Sequence, residues 1–441
     1  MLYEAEQGNF CLMATGDLLV SRRLGVFREP AYLALRALLR GADMTLGNLE
    51  TVLHRFEHWP GSAGGTFTGC PPEILADLRW LGFGLLSVAN NHAADYGIPG
   101  LLGTLEHLER AGFAYAGAGT DLFDASEPTY VETAAGRVAL LACSASFAPG
   151  SEAMTQHHGH CGRPGINPLL YQRRYQVDEA SILALARLRH QLGLDTAEPQ
   201  RRNLVAPCPP AAEAPQRLEV FGQSFELSEG FSLHTELDQT DARRHTRRVG
   251  EAKAMADWVI VSCHWHERGA SADEPPAFLR DFARRCIDAG ADVFVAHGPH
   301  TIRGIEIYKD RPIFYSMGNF VFQNETVIRQ PSASYQAFNL GPDASISDLQ
   351  NAKTRHGTTG FAHFEEYWRS FIAQVSFRKG ALAGVRLHPI DLGFGLPRSQ
   401  HGRPVLAAGD VAAKTLAELQ ALSSRYGTVI ISDRNVGEVR L

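Results

Sequence analysis

Apolar and polar residues follow two different periods along this chain. Where apolar side chains recur every three to four positions, the spacing predicts helices: Pro30 to Leu39, Gly97 to Ala111, Asp178 to Leu192, Pro276 to Ala289 and Ala407 to Leu422. Another is opened by Pro71-Pro72-Glu73 and carries Ile74, Leu75, Leu78 and Leu81 on one face. Gly41, Gly82 and Gly112 stand where three of these helices should stop. Between the helices lie short apolar runs that read as strands: Phe10 to Thr15, Met44 to Leu46, Leu85 to Ala89, Trp258 to Cys263 and Val293 to Ala296. Phe371 to Phe377 alternates like an edge strand, Gly380-Ala381-Leu382 suits a hairpin turn back into Val385 to Leu387, and Thr428 to Ile431 forms a last short strand. Strand and helix alternate, which favours a layered α/β architecture over a helical bundle or a β sandwich. No internal repeat is visible.

The pattern breaks in two places. From about 148 to 250 it gives way to polar and Pro-rich clusters with one convincing helix, Asp178 to Leu192, and this stretch is expected to be an insertion that caps or shapes a site. A second irregular segment runs from Gln330 to Thr359. The expected organisation is a core over 8–325, the insertion within it, and a 326–441 extension that completes the second sheet.

The residues at the strand ends carry more chemistry than the strands themselves. Phe10 to Gly16 leads to Asp17, and Leu85 to Ala89 leads to Asn90-Asn91-His92. Trp258 to Cys263 breaks into His264-Trp265-His266, and Val293 to Ala296 delivers His297 and His300 across a Gly-Pro turn. Met44-Thr45-Leu46 is succeeded by Glu50. In open α/β sheets, ligands gather at the carboxyl ends of strands, where loops converge.

Composition narrows the field. With 441 residues, 44% of them hydrophobic, the chain is long and apolar enough for one large core or two moderate ones. A net charge of −6 speaks against a generic nucleic-acid binder, which needs a basic footprint. The stretch Met1 to Asn9 carries no basic region, and no apolar run reaches the roughly 18 residues of a membrane span, so a cytoplasmic address is expected. Seven cysteines without a CxxC pair, several of them inside apolar runs, read as reduced core thiols.

Asp17, Glu50, Asn91, His92, His264, His266, His297 and His300 together offer carboxylate, amide and imidazole donors. This mixed, moderately hard set suits one or two divalent ions, zinc, manganese, iron or calcium, better than a thiolate site would. A single histidine near a strand end is more often a hydrogen-bonded structural residue; agreement among the strand ends is what favours a metal. His54, His58, His107 and His190 have no such support and read as surface or core residues. Asp95, three residues after His92, reads either as a helix-entry cap or as a carboxylate that orients the imidazole. The run Arg243-Arg244-His245-Thr246-Arg247-Arg248 reads as a solvated helix face or as a clamp for carboxylates.

The ordered motifs Gly16-Asp17, Asn48-Leu49-Glu50-Thr51, Ala89-Asn90-Asn91-His92, Ser262-Cys263-His264-Trp265, Pro299-His300, Gly304-Ile305-Glu306 and Phe314 to Phe320 resemble those of the CapA-type capsule-biosynthesis proteins, a group within the calcineurin-like metallophosphoesterase superfamily. Arg163 to Pro168 and Tyr367-Trp368 resemble further landmarks of that family. The resemblance implies a four-layer αββα sandwich, with metal held at loops after the strands, and a connection with poly-γ-glutamate or related cell-envelope polymers. It also implies Asp17, Glu50, Asn91, His264 and His300 as metal ligands, with Glu50 in the bridging-acid region and His92 as proton donor to a leaving oxygen. His266, His297 and Asp95 join His92 as candidate catalytic groups, and Trp265, Arg163 and Asn319 are the expected substrate-binding residues.

Three departures from the pattern stand out. Leu19 replaces the histidine that usually comes two positions after the first aspartate; Gly298 replaces the first histidine of His-Pro-His, with His297 one residue earlier; and His266 stands where glycine is common. The loss at Leu19 removes one ligand of one metal and speaks against ordinary phosphatase activity. The sequence therefore leads to a metal-dependent hydrolase acting on an amide or ester of an acidic polymer or peptide. Its alternatives are an acid/base epimerase that removes and returns a Cα proton of a ribosomal peptide, and a non-catalytic assembly protein.

Overall fold

Strand Phe10–Leu19 lies inside the larger sheet, and nine of its ten residues are buried, as its nearly unbroken apolar sequence requires. In the computed structural model, which describes residues 7–61, 65–194 and 214–441, ten strands among the described residues form this sheet. Met44–Asn48, Leu85–Ser87 and Ala114–Ala116 follow in parallel on one side. On the other side the strand has two successive partners. Phe10 to Ala14 pairs antiparallel with Arg369–Arg378, and Asp17 to Leu19 pairs in parallel with Asn319–Phe322. Ala381–Asp391 pairs antiparallel with Arg369–Arg378 through the turn at Lys379 and Gly380, and Val405–Leu406, Val436–Arg440 and Val429–Asp433 complete the sheet.

A second sheet has six strands among the described residues, in the order Ile305–Tyr308, Arg311–Phe314, Val293–His297, Trp258–His264, Gly136–Ser144, Thr129–Thr133. Its four inner strands are parallel. Alternate residues of these strands, Val138, Leu140, Ile260, Val293 and Val295, share one apolar cluster with the strands of the larger sheet. The Phe10 ring stacks on Trp258 at 5.1 Å, so the two sheets meet face to face. Residues between them, such as Val259, Val261 and Phe294, are buried on the opposite face, and helices Gln239–Lys253 and Ala277–Asp288, which connect successive strands, bury Val249, Ala252, Ala283 and Cys286. Helices Pro30–Leu39, Ile74–Leu81, Gly97–Arg110 and Gly409–Ser424 contribute their apolar residues to the central cluster. The architecture is the αββα sandwich expected from the motif order.

The chain divides into two compact units. One comprises Met1–Leu169, Arg243–His266 and Ala283–Leu441 and contains both large sheets; the other comprises Leu170–Ala242 and Glu267–Phe282. Within the smaller unit, Arg217–Val220, Gln223–Leu227, Tyr171–Val177 and Ser232–Leu237 form a four-stranded sheet. The sequence predicts no strand there. Among the described residues, its strands supply Val177, Leu218 and Val220 to a small core with Ile182 of the helix, and the outward positions carry Arg, Gln and Glu, so the period-two signal is swamped by charge. Helix Glu179–Gln191 does form where predicted, with the Asp178 side chain accepting from the Ser181 N–H.

Other differences are smaller. The segment Gln330 to Thr359 contains helices Ser332–Gln336 and Ile346–Thr354, the second closed by a capping box between Ser345 and Asp348. Cys70, Cys143, Cys263 and Cys286 are buried free thiols, as expected, while Cys161 is exposed and Cys208 lies outside the described residues. The Arg243–Arg248 run lies on a helix, where Arg247 and Arg248 pair with Glu251, Arg248 also with Glu127, and Arg244 donates to Asn167. Among the described residues, no helix is long and apolar enough to cross a membrane.

Candidate metal centre

The parallel strands of both sheets end at one edge, and the strand-end residues meet there. At Asp17 the strand Phe10–Leu19 loses regular register with both neighbours, a bulge that re-aims the carboxylate out of the ladder. Gly16 permits the approach that this requires: a Cβ there would lie 1.9 Å from the Gly318 carbonyl oxygen, which accepts the Asp17 N–H at 3.0 Å. The Val293–His297 strand ends beside His264, and the chain then turns through Gly298 at φ +121° and His300 at φ +60°. A Cβ at position 298 would fall 1.9 Å from the Trp265 carbonyl oxygen. Glycine there is a steric requirement, and the imidazole that reaches the centre instead comes from His297, whose Nδ1 lies 3.4 Å from Asp17 Oδ1.

Two overlapping groups of donor atoms result. Those of Asp17, Glu50 and His264 lie within 4.8 Å of one another, as do those of Glu50, His266 and His300. Glu50 belongs to both. Its Oε1 is 3.7 Å from His264 Nε2, 3.9 Å from His92 Nε2 and 4.0 Å from His300 Nε2. Both Glu50 oxygens, Asp17 Oδ2, Asn91 Oδ1, His264 Nε2 and both His297 nitrogens are buried without a hydrogen bond. So many unpaired donors and acceptors cost several kcal/mol unless a cation or solvent satisfies them. The donor set and its unmet valences fit a divalent ion.

The electrostatics point the same way. Burial, then the charges of Asp17 and Asp95, push the Glu50 carboxyl well above its ordinary range. Burial also pushes against ionisation of Asp17, but His297 and His300 outweigh it and hold that carboxyl well below its usual value. Burial, then the neighbouring His266 imidazole, holds His264 well below the ordinary histidine value, in the neutral form that binds metals. A bound cation would reverse the pressure on Glu50 and let it ionise.

Around these groups sits a supporting shell. His92 Nδ1 lies 2.8 Å from Asp95 Oδ2, the same oxygen that accepts the Thr68 N–H at 2.7 Å. His300 Nδ1 lies 2.9 Å from Asn319 Oδ1, so the ring donates there and its Nε2 faces Glu50 with a free lone pair. Asn48, quoted from the sequence as part of the Asn48-Leu49-Glu50-Thr51 motif and given no role there, donates to Asp17 Oδ1 at 2.9 Å and lies 3.3 Å from His264 Nδ1; Asn90 in turn donates to Asn48 Oδ1 at 3.3 Å. The available signal was an amide at the end of the wholly buried strand Met44–Asn48. His266 is exposed at the edge, its ring centroid 4.9 Å from that of His264. The other sequence candidates have different surroundings: Trp265 is buried with its indole N–H on the Tyr315 carbonyl, and Arg163 pairs with Glu152. His54 is a core residue against Tyr96, pushed down to about 4 by burial.

Comparison with known proteins agrees with the motif order. Two curated relatives, the uncharacterized proteins y4sH and y4uA of Sinorhizobium fredii, are each 34% identical over 98% of this chain and 93% of their own. The capsule biosynthesis protein CapA of Bacillus anthracis is 24% identical over 73% of this chain and 60% of its own length. A solved hypothetical protein from Thermus thermophilus aligns over 90% of this chain and 96% of its own, at 12% identity and a TM-score of 0.34, a likeness that adds nothing to the fold traced above. The model of the bacterial capsule synthesis protein PGA_cap matches residues 11–324, which include the whole Asp17, Glu50, His264 and His300 constellation. The chain therefore belongs to the PGA_cap family of bacterial capsule synthesis proteins.

Proposed function

We propose that this chain is a metal-dependent hydrolase of the cytoplasm that cleaves an amide or ester bond of an acidic polymer or peptide, in metabolism connected with poly-γ-glutamate or the cell envelope. The observation that carries this reading is the convergence of unpaired Asp17, Glu50 and His264 atoms beside a His92–Asp95 pair. Asp17, Glu50, Asn91, His264 and His300 would hold one or two ions, of zinc, manganese, iron or calcium. Such an ion polarises a carbonyl and lowers the pKa of a bound water.

The rest of the chemistry belongs to the side chains. Asp95 accepts from His92 Nδ1, which fixes the ring and its tautomer. Neutral His92 in that tautomer has only a lone pair on Nε2, so it donates to a leaving atom as the imidazolium and accepts a proton otherwise. His297 Nδ1 lies 3.4 Å from Asp17, and His266 at the edge is a further imidazole, held down to about 3 by desolvation and by the neighbouring His300, so that it stands as a proton acceptor.

That abundance of imidazoles favours a second reading. His92, His266 and His297 outnumber the proton carriers that cleaving one bond requires, and Cα epimerisation needs one group to remove a proton and another to return it. The two are separated by incubating metal-loaded protein with γ-glutamyl oligomers and with peptides in heavy-isotope water. Hydrolysis adds one water and places ¹⁸O in the product; epimerisation leaves the mass unchanged in ordinary water and introduces one deuterium from D₂O. Absence of bound metal together with absence of either product would sink both.

A further inference from the structure

A cavity of about 280 Å³ is lined by Phe361, Phe364 and Tyr367, with Lys353, Gln350 and Glu325 in its walls. It adjoins the metal centre through His300 and Asn319. Phe361 meets the His300 ring edge-on at 5.7 Å, and Asn319, which holds His300 through Oδ1, donates from Nδ2 to the Tyr367 carbonyl at 3.0 Å. The lining also includes Thr66, two residues before the Thr68 whose N–H meets Asp95. A group seated in the cavity is thus separated from the His300 ring by Phe361 alone.

The lining states what that group is. Three aromatic rings make a slot for a flat apolar side chain, of the kind that buries about 150–250 Å². Two polar atoms in the wall lack partners: Glu325 Oε1, an acceptor, and Gln350 Nε2, a donor, both buried. Glu325 Oε2 is already engaged by His401 Nε2 at 3.1 Å, which leaves Oε1 for a ligand. One unpaired acceptor and one unpaired donor match the N–H and C=O of a peptide unit. A carboxylate side chain fits poorly, because it would be desolvated among rings and brought towards Glu325. The Lys353 ammonium, which also lines the cavity, donates to Thr66 Oγ1 and is held below its usual value by burial.

We infer that this cavity is the side-chain subsite of the metal centre and takes an aromatic residue of a peptide, the peptide unit meeting Gln350 and Glu325. The inference rests on the reading of the centre as one that processes a peptide, and it favours a peptide over a polyglutamate as substrate.

The test is calorimetric titration of the full, manganese-loaded chain with N-acetyl-tryptophanamide and with tri-γ-glutamate, alongside a separate manganese titration. Phe364, an exposed wall residue, can be changed without disturbing the core. The aromatic amide is expected to bind, Phe364→Ala to weaken it at least tenfold, and Phe364→Tyr to restore it, with manganese stoichiometry equal in all three proteins. The inference is overturned if the aromatic amide does not bind, if Phe364→Ala binds it as tightly as the native chain, or if tri-γ-glutamate binds more tightly and loses that affinity in Lys353→Ala. Amide binding by a chain that takes up no manganese would overturn the assignment to a metal centre and the hydrolase reading with it. Amide failure with manganese still bound would overturn the subsite alone.

Discussion

Glu50 places two unpaired oxygens among three imidazoles, and Asp17 and Asp95 add charge to the same space. Substitutions around it should separate holding a cation from moving a proton. Asp17→Ala and His264→Ala are expected to lose most of the bound metal in elemental analysis while far-UV circular dichroism stays native. His92→Ala is expected to keep the metal and lose turnover; loss of metal there would mean that His92 is a ligand and not the proton donor. Asn48→Ala, which removes the amide behind Asp17 Oδ1, should weaken metal binding about 10- to 100-fold, the usual effect of deleting a group that orients a ligand. At this scale the sequence was informative where a polar residue ends an apolar run, as at Asp17, His264 and His297. Asn48 stood in a quoted motif but its role was hidden, because an amide on a short strand has no distinctive spacing, and the Phe361–Lys353–Gln350 cavity was silent because it is assembled from a segment without periodicity.

Single elements are held by polar contacts as well as by apolar faces. In helix Ile74–Leu81, the buried Asp77 carboxylate accepts from the Leu24 N–H at 2.8 Å and from the Arg23 guanidinium at 2.7 Å, tying the segment after the first strand to the helix. Burial opposes its ionisation, but Arg23 and the backbone donors at Gly25 and Leu24 prevail and hold the carboxyl below its usual range. Arg23 is more than half exposed, so water screens much of its share, and the bond to Leu24 is the larger loss. Asp77→Ala should therefore cost about 1–3 kcal/mol in denaturant unfolding. The sign of the pH effect comes from a folded value below the unfolded one, about 3.9. The stability that Asp77 contributes is fully present above the unfolded value and is lost as pH falls through the lower, folded value. Asp77→Asn should flatten the acid limb of a stability profile measured by thermal melts. The helix itself was legible from Ile74, Leu75, Leu78 and Leu81, whereas the strands of the smaller unit were hidden by their charged outer faces.

Across the whole molecule, a buried, unsatisfied centre links cation binding to folding. Manganese or zinc at a hundred times its dissociation constant should stabilise the native state by about 2.7 kcal/mol, seen as a higher melting temperature that chelation reverses and Asp17→Ala abolishes. The layered class was readable because strand and helix periods alternate over most of the chain, but the pairing order was not: nothing local announces that Phe10–Leu19 shares one side between Arg369–Arg378 and Asn319–Phe322. That divided side has a consequence for biosynthesis. During synthesis the segment bearing Asp17 emerges about 300 residues or more before either neighbour, and until they arrive its backbone groups are an open invitation to other chains. A nascent polypeptide halted near Glu325 would carry most of the metal-binding side chains yet lack Arg369–Arg378, and it should aggregate through that bare margin rather than accumulate as a smaller working protein.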